Sequence, residues 1–238
     1  MKKQMLALAL ATGACLAVPA LAQELALETV NVTGFRAETD PNAVPHVFVL
    51  HRADHLITKV RVVCDTREPR KRRQELKDTL RSMIREAGKS GSISLGVGDE
   101  IVADLTEKML DKVVEPDVRA DTSRATVIIK TRVSQNDMFD DATGRIERFI
   151  EAVPKAGRTE VLRENRWDLT LVGPEQYRAA VIAKVAKDAK DTAALFGPDY
   201  QVRIEGLQHP IAWYQKGPLD LALYIPYVMT VTPPGAGQ

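Results

Sequence analysis

The side chains best suited to chemistry gather in "HVFVLHRADH", where His46, His51 and His55 accompany Asp54. Imidazoles four positions apart, as in His51 and His55, share one face of a helix and can ligate a metal there. The flanking "HVFVLH" and "LITKVRVV" have the apolar, β-branched character of strands, so "HRADH" reads more naturally as a turn. No cysteine and no glutamate at catalytic spacing completes a ligand set. His46, His51 and His55 therefore remain metal candidates without a full site, and no cofactor is expected.

A second group is basic. "REPRKRRQELK" brings together Arg70, Lys71, Arg72 and Arg73 at the start of a predicted helix. One reading is contact with an anionic surface such as lipid head groups, lipopolysaccharide or an acidic protein. The other is a solvated helix face relieved by Glu68, Glu75 and Asp78. Cations at a helix N-terminus oppose its dipole by about 0.3–1 kcal/mol each, a conflict that hints at use, although charged helix faces are usually solvated.

The remaining chemical patterns are incomplete. "AGKSG" lacks the earlier glycine of a phosphate loop, because Met83 stands there. "GVGDEI" has Ile101 where a dinucleotide fingerprint needs its third glycine. Asp137, Asp140 and Asp141 in "NDMFDDATG" lack the closing glutamate of a calcium loop and suit a helix start instead. No G-x-S-x-G elbow is present, so no catalytic residue is nominated.

The elements that must position these groups follow from periodicity. "ETVNVTGF" alternates as a strand, and "LITKVRVVCDT" puts Thr58, Val60, Val62 and Cys64 on its better core face. Leu76, Leu80, Met83, Ile84 and Ala87 recur at helical spacing until Gly88 and Gly91. "SISLGVGDEIV" reads as a strand and "DEIVADLTEKMLDKVVEP" as a second helical stretch. "RATVIIKTRVS" is β-branched almost throughout and predicts a strong strand. A helix follows with Asn136 or Asp137 as cap and Phe139, Ile146, Phe149 and Ile150 as core positions. "TEVLRENRWDLTLVG" returns to strand, and a long helix runs from Pro174 to Gly197. "YQVRIEGLQHP" and "LALYIPYVMTVTP" predict two last strands joined by "IAWYQKGPLD". This order predicts an α+β fold, a largely antiparallel sheet with helices packed on one face. It also admits two similar βαβ-type halves.

The start, "MKKQMLALALATGACLAVPALAQ", has a basic opening, an apolar run and Ala20 and Ala22 before a cleavage point. Residues 1–22 are expected to be a secretory signal, with lipid attachment at Cys15 as the rival. Its removal would change 33 basic against 32 acidic side chains to 31 against 32, which does not recommend a nucleic-acid partner. Cys64 would then be the only thiol, buried in a strand or open to an intermolecular bond. Residues 23–232 form the expected domain, and 233–238 a disordered tail. No transmembrane span is expected in the mature chain.

Two separated stretches resemble the SIMPL-domain family of exported bacterial proteins. "VNVTGFRAETDPNAV" is similar to that family's opening strand, with Asp40-Pro41-Asn42-Ala43 where the family tends to have Pro-Asp-x-Ala. "YRAAVIAKVAKDAKDTAALFGPDYQVRIEGL" is similar to its late alanine-rich helix, carried by Ala179, Ala180, Ala183, Ala186, Ala189, Ala193 and Ala194. The resemblance implies a periplasmic or envelope-associated protein, outer-membrane association included, that works as a homo-oligomer without established catalytic residues. "LETVNVTG" also resembles the coupling segment of TonB-dependent outer-membrane receptors. Their barrel of about 22 strands, at about 10 residues each, leaves no room for a plug in this length.

The expected function is thus non-catalytic binding and self-assembly in the cell envelope. The alternatives are a periplasmic ligand- or metal-binding module or enzyme built on His46, His51 and His55, and an anionic envelope-surface binder using Arg70, Lys71, Arg72 and Arg73.

Overall fold

A computed structural model describes residues 28–29, 47–98 and 101–234. The expected signal, most of the "ETVNVTGF" strand, the Asp40-Pro41-Asn42-Ala43 motif, His46 and residues 235–238 lie outside the described residues.

The centre is a pair of antiparallel strands, β3 (His55–Cys64) and β7 (Ser123–Arg132), matched along their whole length from His55↔Arg132 to Cys64↔Ser123. Their β-branched residues suit a pleated surface flanked on both sides. The strands before them are β1 (Glu28–Thr29) and β2 (Val49–Arg52). Between them come β4 (Ile93–Val97), β5 (Ile101–Asp104) and β6 (Glu115–Pro116). After them come β8 (Thr159–Arg163) and β9 (Asp168–Thr170). The main sheet runs β1-β5-β4-β7-β3-β8, with β6 beside β7 and β9 continuing the edge of β3. All of its pairings are antiparallel.

Helix α1 (Pro69–Ser90) connects β3 to β4, and α3 (Phe139–Ala152) connects β7 to β8. In each case the connected strands are separated in the sheet by one strand of the other unit. This interleaving of two βαβ units is the ferredoxin-like split βαβ arrangement. Both helices pack on the even-numbered face of β3. There Val60, Val62 and Cys64 meet Leu76, Leu80 and Met83 of α1 and Ile146 and Phe149 of α3. The opposite face holds a smaller cluster of Ile57, Ile128 and Val102.

A second layer follows. Helix α4 (Arg178–Phe196), entered through a 3-10 turn at Pro174–Tyr177, covers a sheet of β11 (Ala212–Gln215), β12 (Asp220–Tyr224) and β2. Strands β10 (Gln201–Glu205) and β13 (Val228–Thr232) form a separate two-stranded ribbon. Val181, Val185, Leu221, Leu223 and Leu169 build this second core. Leu56 of β3 and Ala142 of α3 also belong to it, and Trp167 packs against both clusters, so the two cores adjoin.

Several sequence expectations are corrected. "DEIVADLTEKMLDKVVEP" is mostly not helical: Ile101–Asp104 is strand β5, and only a 3-10 turn at Glu107–Met109 and the short α2 (Leu110–Val113) follow. The β-branched run at Ile101 and Val102 prevails over the helical stripe. The connector "IAWYQKGPLD" supplies β11, and "LALYIPYVMTVTP" splits into β12 and β13 in different sheets. Pro226 stands at that break, where a residue without an N–H interrupts pairing. "TEVLRENRWDLTLVG" is likewise broken into β8 and β9, because Lys59 O accepts from Glu164 N and Thr58 Oγ1 donates to Arg166 O, at 2.9 and 2.8 Å. The cap of α3 is Met138 rather than Asn136 or Asp137, with Asp141 Oδ2 accepting the Met138 N–H at 2.8 Å. Gly88 does not stop α1; Gly91 does, in the left-handed conformation that spares glycine a steric cost.

One polar junction ties β3, α1 and the α3–β8 turn together. Thr66 Oγ1 donates to Glu75 Oε2 at 2.6 Å, buried Cys64 Sγ donates to it at 3.4 Å, and Arg158 N donates at 3.3 Å. These hydrogen bonds, led by that from Thr66, hold the Glu75 carboxyl below its usual range against the raising effect of burial. Gly157, at φ +56°, leaves the space this carboxylate fills. Gly157→Ala is expected to cost about 1–3 kcal/mol in urea unfolding, since it combines a strained φ with a clash. Acid titration of stability tests Glu75. Its contribution is full above the ordinary glutamate pKa of about 4.3 and is lost as pH falls through the lower folded value. Glu75→Gln should flatten that acid limb.

Candidate functional site

The β2–β3 corner brings the histidines into view. Arg52 ends β2 and His55 begins β3, so "HRADH" is the expected turn. His51 is committed elsewhere: its Nε2 lies 2.7 Å from the Tyr177 hydroxyl, with ring centroids 4.3 Å apart. Burial, aided by the Asp54 carboxylate, raises the Tyr177 phenol above its usual pKa and keeps it a hydroxyl able to make this bond. Among the described residues no group of three or more His, Cys, Asp or Glu side chains could hold a metal. The structure brings His55 not to His51 but to Arg132, directly opposite it on β7.

His55 and Arg132 line an open cleft of about 520 Å³ together with Ser92, Ser94, Ser134 and Arg145. The sheet register places them: Ile93 pairs with Thr131 and Ser94 with Lys130, so Ser92 and Ser94 flank Ile93 beside the last residues of β7. Arg145 reaches in from α3 and is held on several sides. Its Nε donates to Thr131 Oγ1 at 3.1 Å, its Nη2 to Arg132 O at 2.7 Å, and both terminal nitrogens bind Asp137 at 2.6 and 3.2 Å. The Thr131 hydroxyl in turn donates to Ser92 O at 3.1 Å. Asp137 also accepts the Ser134 N–H at 2.8 Å, and its carboxyl is held below the usual range, chiefly by Arg145. Its backbone carbonyl accepts from Arg52. The acidic group read from the sequence as a helix start thus includes the anchor of an arginine.

The basic run divides. Arg70, Lys71 and Arg73 are exposed on the first turns of α1, whose first turn contains no acidic residue after the Glu68 cap. Arg72 turns inward and is only 11% exposed. Its Nη1 donates to Thr66 O at 2.9 Å and Arg67 O at 3.3 Å, and its Nε to Ser123 Oγ at 3.2 Å. Arg72 therefore clasps the start of α1 to the first residue of β7 rather than presenting a charge to a partner. Lys71 has a long i,i+4 contact with Glu75 at 3.9 Å.

The alanine-rich helix is the late helix α4, but most of its alanines do not pack inward. Val181, Val185 and Ala189 face the core, whereas Ala179, Ala183, Ala186 and Ala194 lie exposed on the opposite side. Leu195 and Phe196 at its end are 86% and 54% exposed. A second cleft of about 490 Å³ lies between the β10 and β13 ends, lined by Glu205, His209 and Tyr227 among others. Arg178 Nη1 fixes that loop by donating to His209 O at 2.8 Å.

Among the described residues no helix is long and apolar enough to cross a membrane. No protein-family model matches the sequence, and no curated protein matches it either.

The clasp of Arg72 and the exposure of Arg70 separate two similar residues. Arg72→Ala is expected to lower unfolding free energy by about 1–3 kcal/mol, as loss of a multiply bonded charged group does. Arg70→Ala should stay within about 0.5 kcal/mol. Chemical denaturation of both variants checks the difference, and equal effects would contradict the assignment.

Proposed function

We propose that the protein is an exported cell-envelope protein of SIMPL type that acts by binding and self-assembly, with no chemistry of its own. The observation that carries the reading is the outward stripe of α4. Ala179, Ala183, Ala186 and Ala194 lie at helical spacing on the side away from the core, with exposed Lys190 between the last two, and Leu195 and Phe196 are exposed where the helix ends. Helical propensity accounts for alanine on a solvated face. It does not account for a leucine and a phenylalanine exposed at the end of the same helix.

Small side chains let two helices approach closely, so the stripe suits an identical stripe on a second copy. The β10–β13 ribbon adds a further exposed valine, Val228, at 66%. The signal-like start supports a periplasmic location, and the likeness of α4 and its following strand to the family's late helix supports the family.

Sedimentation velocity of the mature protein tests the proposal. A mass that is a multiple of the monomer is expected, and Ala183→Arg should weaken assembly by at least about tenfold, or about 1.4 kcal/mol. A strict monomer across micromolar concentrations would overturn it, as would assembly untouched by that arginine.

A further inference from the structure

We infer that the cleft formed by His55, Arg132, Arg145 and the serines at 92, 94 and 134 binds a phosphate group, free or carried on a small polyol. The inference is independent of self-assembly, because no residue of α4 contributes to the cleft.

Charge is the first argument. Among the described residues the Arg132 guanidinium has no carboxylate partner, while other arginines of the same region are paired, Arg145 with Asp137 and Arg52 with Asp220 at 3.7 Å. No carboxylate is among the residues that line the cleft. Arg132 is also exposed, so its planar fork of donors faces a space that an anion can enter. Guanidinium groups bind phosphate oxygens through paired, charge-assisted hydrogen bonds, which a tetrahedral oxyanion can accept from more than one direction.

Preorganisation is the second. Arg145 cannot swing away, because Thr131, Asp137 and the Arg132 carbonyl fix its orientation. The Thr131 hydroxyl binds Ser92 O and so locks the serine-bearing end of β4 against β7. His55 is held opposite Arg132 by the same register. With Arg145 and the end of β4 already fixed, the ordering on binding falls mainly on the Arg132 side chain.

Size and lining give the class of ligand. Serine hydroxyls donate and accept, and so suit the hydroxyls of a polyol as well as phosphate oxygens. A volume of about 520 Å³ falls in the small-molecule range of roughly 300–1,000 Å³ and exceeds the needs of a lone oxyanion.

Isothermal titration calorimetry on the whole protein, in low-salt buffer free of phosphate, tests the inference with inorganic phosphate and with glycerol 3-phosphate. Saturable binding is expected below ~10 mM for at least one of them, a range typical of weak small-molecule sites. Tighter binding of glycerol 3-phosphate assigns the polyol ester; equal binding assigns the free anion. Arg132→Ala should weaken binding by about tenfold or more, as loss of a charge-assisted pair does, and Arg132→Lys should recover part of it. Arg203→Ala, an exposed cation on β10, should leave it unchanged. Amide shift changes on titration should centre on residues 92–94 and 132–134. No binding of either ligand, equal loss with Arg203→Ala, or shift changes centred elsewhere would overturn the assignment.

Discussion

The pairing of β3 with β7 is the constraint on which the other elements depend. Ten residues of β3, from His55 to Cys64, are matched without a bulge to those of β7. Both strands are flanked again on their outer edges, by β8 and β9 on one side and by β4 and β6 on the other. Side chains alternate with a period of two, so a slip of one residue would turn Val60, Val62 and Cys64 away from α1 and α3. The same slip would separate His55 from Arg132. Register therefore sets the core and the cleft together, and neither can be shifted without the other.

Around this pair the polar side chains act mostly as ties between elements. Glu75 joins α1 to the end of β3 and to the turn before β8; Arg72 joins the start of α1 to β7; Arg145 and Asp137 join α3 to the end of β7. Each is partly withdrawn from water and multiply hydrogen-bonded, the condition under which such groups are tolerated inside a fold. Their arrangement explains how a chain with many charges can bring two helices down on one sheet face. It also means that a charged residue in this sequence cannot be assigned to solvent by its type alone. Arg70 and Arg72, two positions apart in one basic run, have opposite surroundings.

Much of the fold was legible where periodicity and residue type agreed. The β-branched run of β7, the helical spacing of Leu76, Leu80 and Met83, and the even face of β3 all form as read, and the α+β class with antiparallel pairing follows from them. What was not legible depends on contacts between distant segments. Strand β11 has no run of its own and exists by pairing with β12. The split of β8 from β9 comes from hydrogen bonds that β3 makes to residues 164 and 166. The orientation of α4 could not be read, because alanine fits a buried and an exposed face equally well. The cleft likewise joins distant segments: His55 stands among other imidazoles in the sequence, while Arg132 and Arg145 lie on β7 and α3, and only tertiary pairing brings them together. The one available sign was alternation in "IIKTR", which puts Lys130 and Arg132 on one face of their strand.

The alanine stripe and the arginine cleft answer to different forces, which allows one chain to carry both. Contact between small apolar side chains is short-ranged and insensitive to salt, and its strength depends on close fit. Attraction of an anion to Arg132 reaches further and is screened over about 10 Å at 0.1 M ionic strength. High salt should thus empty the cleft while leaving helix contacts intact. Because the cleft residues belong to the rigid β3–β7–α3 junction and the stripe to the outer face of α4, occupying one has no evident route to reshape the other. Several copies joined through α4 would then present several clefts, each retaining its own affinity. Assembly would raise the avidity for a surface bearing many phosphate groups without changing any single site.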